Sequence, residues 1–209
     1  MSTFRCNIHF PAIVLLAVVL GGCAGSSLQS TGSSQLVEAA RNGDTARVRA
    51  LLEQEVDPNT ADKSGATPLW VAIENRHHET AELLVSRGAR VDAAFDGFTP
   101  LAKAALDGNT KATNILLRSG ADAEARNKYG ATPLLIAAEH GRVGVARALL
   151  DHGVAIDADN DGATSLYMAV QSECAPVIEL LVARGADRGS QARNGVQSPS
   201  GCHPARRTP

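Results

Sequence analysis

Aromatic side chains are scarce in this sequence: four Phe, two Tyr and one Trp make up 3% of its 209 residues. So few large rings disfavour a β-sandwich core. With Gly and Ala plentiful, the composition suits small aliphatic side chains packed in helical layers. An excess of one charge is also missing. The formal net charge is −2, so the whole chain carries no electrostatic footprint for nucleic acid. The distribution says more. Residues 34–187 hold all 22 acidic residues against 15 basic ones, a net of −7, while Arg188–Pro209 contains four Arg and no acid. An acidic body with a short basic tail disfavours DNA or RNA as the main partner. It leaves room for a basic partner protein, or for a tail resting on an anionic surface. Long hydrophobic runs are absent too. The apolar run Phe10–Leu20 has eleven residues, where a membrane-spanning helix needs roughly 20. No HExxH, GxSxG, phosphate loop or CxxC occurs, so no catalytic residue and no cofactor is indicated.

That apolar run follows a weakly basic start, with Arg5 alone, and has the size of a signal-peptide core. The sequence after it is Leu20-Gly21-Gly22-Cys23. This resembles the lipobox of bacterial lipoproteins. The resemblance implies a signal peptide over 1–22, cleaved before Cys23, and a diacylglycerol on the Cys23 thiol. A plain cleaved secretory signal is the simpler alternative. Each buried CH₂ contributes about 0.8 kcal/mol, so two or three acyl chains hold a protein stably at a membrane. The low-complexity stretch Ala24–Ser34 then reads as a flexible tether over 23–34. By the same resemblance, Ala24 after the Cys implies a periplasm-facing lipoprotein of the outer membrane.

The rest of the chain repeats itself. "GATPLWVAI" at Gly65, "GFTPLAKAA" at Gly97, "GATPLLIAA" at Gly130 and "GATSLYMAV" at Gly162 recur at spacings of 32, 33 and 32. A degenerate copy, "LVEAARNGDTARVRALLEQEVDPN", precedes them from Leu36. Thr67, Thr99, Thr132 and Thr164 stand where a helix N-cap oxygen is wanted. Pro68, Pro100 and Pro133 follow at the first helical position, with Ser165 in the last copy. A short first helix rich in Ala precedes a Gly turn at Gly43, Gly108 and Gly141. A second helix carries the pairs Leu51–Leu52, Leu83–Leu84, Leu116–Leu117, Leu149–Leu150 and Leu180–Leu181. Gly88, Gly120, Gly153 and Gly185 lie where a left-handed stop is expected.

This pattern resembles the ankyrin repeat. The implied fold is an all-α solenoid of five helix-turn-helix repeats with β-hairpin fingers, over 35–187. The repeats lie near 35–64, 65–96, 97–129, 130–161 and 162–187, followed by a disordered basic tail over 188–209. Several positions depart from the family pattern. Trp70, Ala102, Leu135 and Tyr167 replace its TPLH histidine. Arg76 and Glu173 stand at the inter-helix Gly position, which predicts strained turns. The links before Gly97 and Gly162 are one residue short, which predicts tighter fingers.

Candidate chemistry is sparse. His77 and His78 are adjacent, whereas a metal pair on a helix wants i, i+4 spacing, so they read as surface residues and no metal site is assigned. "DADND" from Asp157 lacks the Glu that would close a calcium loop and reads as a solvated acidic finger. Cys174 and Cys202 can pair in an oxidising periplasm, or stand as separate thiols in a turn and a tail. The five aromatics after Cys23 all fall in the fingers or at the start of a first helix. Trp and Tyr are enriched in interface hot spots. The resemblance implies recognition through fingers and concave face, so the expected binding strip is Trp70, Phe95, Phe98 and Tyr129. Asp62, Asp96, Asp161, Lys63 and Lys128 form its rim. Trp70 and Tyr167 can equally fill the vacated His positions as packing. The expected function is a non-enzymatic, monomeric, lipid-anchored module that binds a protein, as accessory to an envelope enzyme or as a toxin-immunity protein. An envelope enzyme or metal site grafted on the fingers is the alternative.

Overall fold

A computed structural model describes residues 25–188, with side chains from residue 32 onward. The segment expected to be a signal peptide, Cys23, Cys202 and the expected basic tail beyond Arg188 lie outside the described residues. Among the described residues, ten helices form five antiparallel pairs. The inner layer is α1 (Gly25–Asn42), α3 (Pro68–Glu74), α5 (Pro100–Leu106), α7 (Pro133–Glu139) and α9 (Ser165–Gln171). The outer layer is α2 (Thr45–Glu53), α4 (His78–Ser86), α6 (Thr110–Arg118), α8 (Val143–His152) and α10 (Ala175–Ala183). Each helix packs on its pair-mate and on the same-layer helices of adjacent repeats. One sequence expectation is corrected here. The tether expected through Ser34 is helical from Gly25, so regular structure begins within two residues of Cys23. None of the described helices is long and apolar enough to cross a membrane.

Local chemistry sets the helix ends as the repeat predicts. The Oγ1 atoms of Thr67, Thr99, Thr132 and Thr164 each accept from the backbone N–H three residues on, at 3.2–3.3 Å. These bonds satisfy otherwise orphaned donors of α3, α5, α7 and α9. Three columns of side chains run through the stack. Leu36, Leu69, Leu101, Leu134 and Leu166 line the inner layer. Ala39, Ala72, Ala104, Ala137 and Ala169 let the paired helices approach closely. Leu51, Leu84, Leu116, Leu149 and Leu181 line the outer layer. All fifteen are buried, and truncating one such leucine to Ala typically costs about 2–5 kcal/mol.

Polar struts tie neighbouring repeats at equivalent positions. His77 Nε2 meets Arg41 O at 3.0 Å, Asn109 Nδ2 donates to Ile73 O, and Arg142 Nε donates to Leu106 O. Each bond satisfies a carbonyl at the end of the preceding inner helix. His78 Nε2 meets Asn109 Oδ1 at 2.8 Å. The adjacent histidines are therefore partly buried struts that serve different repeats. A second ladder runs along the opposite end of the helices. The side chains of Asn59, Asp92, Glu124 and Asp157 accept from the backbone N–H of Arg90, Asp122, Ala155 and Asp187. Asp157, expected in a solvated finger, is thus a structural rung.

The tighter fingers appear where a residue is missing. Phe95 and Phe98 exchange backbone hydrogen bonds around Asp96 (φ 49°) and Gly97 (φ 79°). Strands β1 (Asp159–Asn160) and β2 (Ala163–Thr164) turn through Asp161 (φ 51°) and Gly162 (φ 86°). Two consecutive positive φ values mark the two-residue hairpin that matches strand twist. The longer fingers close on a side chain instead. Asp62 Oδ1 accepts from Ser64 N and Ala66 N, and Asn127 Oδ1 from Tyr129 N and Ala131 N.

The strain expected at the inter-helix turns is present. Arg76 (φ 62°) and Glu173 (φ 53°) hold the left-handed conformation that Gly43, Gly108 and Gly141 hold in the other repeats. A non-glycine residue there costs roughly 1–2 kcal/mol. Arg76 recovers part of this by donating to Asp107 O at 2.7 Å. Glu173 is exposed, at the turn between α9 and α10. We expect Glu173→Gly to stabilise the protein by about 1 kcal/mol, read as a higher urea midpoint with an unchanged slope.

Candidate partner-binding surface

The fingers carry most of the expected strip, but not as one surface. Trp70 is only 4% exposed, and Phe95 is half-buried against it with ring centroids 5.2 Å apart at 60°. Edge-to-face packing of this kind adds to area burial. Trp70 is therefore corrected from contact to core residue. The ring stands at the sequence position of the family histidine, and its indole N–H has no hydrogen-bond partner among the described residues. Phe95 supports that packing. Tyr167 is half-buried against the core.

Tyr129 stands apart, 67% exposed at the tip of its finger. Its ring packs edge-on to Phe98 with centroids 6.1 Å apart. Lys128 Nζ lies 5.8 Å from the Phe98 centroid and 5.4 Å from that of Tyr129, within range of cation–π attraction. The same ammonium donates to Asp96 Oδ1 at 2.8 Å, and that bond holds its pKa above the usual lysine value. Lys128 N also donates to Gly97 O, and Asn160 Nδ2 to Tyr129 O. These contacts lock three successive fingers in register beneath one exposed tyrosine. Gly97 sits directly under the Lys128 stem, where a Cβ would come within 2.6 Å of it.

The rim residues divide the same way. Asp62 accepts from the Ser64 hydroxyl and from Arg41 Nη2 at 3.2 Å. Chiefly the Ser64 hydroxyl, with the flanking amides and Arg41, holds its carboxyl below the usual range. It is a loop-closing residue. Lys63 is exposed on the same finger, Asp96 is bound to Lys128, and Asp161 is exposed at its hairpin tip.

A groove of about 470 Å³ opens beside Tyr129, between the third and fourth fingers and the inner helices α5, α7 and α9. Phe98, Leu135, Ile136 and Met168 give it apolar walls; Glu139 and Asp161 give it carboxylates. Sequence reading identified Phe98, Tyr129 and Asp161 here but missed Ile136, Glu139 and Met168. Their signal was available by comparing the same position across repeats. Apolar walls with a few convergent polar groups are the usual make-up of a binding site.

A family model described as "Ankyrin repeats (3 copies)" matches residues 9–95, 36–127 and 101–192. The chain belongs to the ankyrin-repeat family. Such repeats are protein-interaction modules and are generally not enzymes. Similar proteins span very different wholes. A cyclin-dependent kinase 4 inhibitor B from Bos taurus is 36% identical over 56% of this chain and 91% of its own length. The human B-cell lymphoma 3 protein is 33% identical over 61% of this chain and 30% of its own length. A Caenorhabditis elegans homolog of transient receptor potential cation channel subfamily A member 1 is 34% identical over 57% of this chain and 10% of its own length. The chain thus covers a minor part of the last two, which share with it the ankyrin region.

Proposed function

We propose that this ankyrin protein binds a partner protein through Tyr129 and the adjoining groove, and that a lipid on Cys23 holds it at a bacterial envelope membrane. The observation that carries the binding reading is Tyr129, the one large exposed aromatic among the described residues, set over an apolar groove on fingers that hydrogen bonds already hold in place. A rigid Tyr presents wide contact area at little cost in side-chain freedom. The binding is non-enzymatic, and the protein acts as a monomer. His77 and His78 are engaged between repeats, which argues against the alternative of a metal or enzymatic site built on them.

The anchor reading rests on the eleven-residue apolar run and the Leu20–Cys23 lipobox. The helix from Gly25 adds that the repeat body starts close to the acyl chains. A short connection favours a partner that is itself at, or near, the membrane surface. Accessory service to an envelope enzyme and immunity to a toxin both fit such a partner; the neighbouring gene discriminates between them. One fractionation experiment tests both halves of the proposal. Cys23→Ala should move the protein from membrane to soluble fraction with its helical signal intact. Tyr129→Ala should leave it on the membrane but lose most cross-linked partner. Membrane retention of the first variant refutes the anchor, and undiminished capture by the second refutes the site.

A further inference from the structure

The groove beside Tyr129 carries a charge pattern that specifies what enters it. In the second and third repeats, Glu74 is faced by Lys103 on the next inner helix, Nζ to Oε1 3.7 Å, and Lys103 also reaches Asp107. Glu139 occupies the position of Glu74 two repeats on, and Met168 occupies the position of Lys103. The groove therefore keeps the carboxylate and replaces its cation with an apolar wall. Among the described residues no Lys or Arg forms an ion pair with Glu139 or with Asp161, which also lines the groove. The nearby Lys128 is engaged with Asp96.

Building on the proposed function, we infer that the groove takes a partner segment bearing an apolar side chain next to a Lys or Arg. The apolar group lies on Ile136 and Met168, and the cation takes the place that Lys103 fills between the second and third repeats, facing Glu139 and Asp161. A charge-assisted pair is stronger than a neutral hydrogen bond, and more so at a partly desolvated lip. Panning a random heptapeptide library on the purified protein tests this. Enriched peptides should pair Lys or Arg with Leu, Ile, Met or Phe. They should bind Glu139→Gln and Met168→Lys roughly ten-fold more weakly, the second variant because it restores an internal cation. Enrichment of acidic or uncharged peptides, equal binding by both variants, or no enrichment overturns the inference. So does binding that appears only after residues 189–209 are removed, which would assign the groove to the chain's own tail. Partner capture that depends on Tyr129, with uncharged peptides enriched, leaves the proposed function standing and sinks this inference alone.

Discussion

No repeat of this protein can bury its own apolar face, and everything else in the structure follows from that. A two-helix unit of about 33 residues has too little interior to be stable alone. Stability therefore resides between repeats, in the leucine and alanine columns. The columns require the same residue size at the same position in every copy. They leave the fingers and the exposed faces of the helices free to vary. Stack and binding surface are in this way nearly independent, and the acidic body with its local charge pattern lies on the part that is free.

The polar ladders follow from the same constraint. Each helix end leaves backbone groups without partners, and a neighbouring repeat is the nearest source. His77, Asn109 and Arg142 are chemically unlike, yet all reach a carbonyl of the preceding repeat. Asn59, Asp92, Glu124 and Asp157 all accept from an amide of the next. The position demands a hydrogen-bonding group of sufficient reach, and residue identity is secondary. Cys174 holds the same position in the last repeat, fully buried and disulfide-bonded.

Much of the frame was legible in the sequence, because periodicity and cap chemistry are local. The Thr caps, the left-handed glycines, the strain at Arg76 and Glu173 and the two tight fingers could all be read from spacing. The helix over Gly25–Asn42 could not, because a Gly/Ser-rich composition reads as a tether. Nor could the division of the aromatics. Trp70 and Tyr129 look alike as finger-side rings, but only packing against Phe95 decides that one is core and the other exposed. Glu139 and Met168 went unnoticed because each is ordinary alone. They gain meaning only against Glu74 and Lys103 at the same register.

The central claim is that recognition occurs at the third and fourth fingers and not on the outer helices. Site-specific photo-crosslinking in cells that make the protein tests it most directly. A benzophenone side chain is placed at Tyr129 in one variant and at Asn114, exposed on α6, in another. The account predicts a discrete higher-mass adduct from position 129 and none from position 114. Adducts from 114 without any from 129 would contradict it.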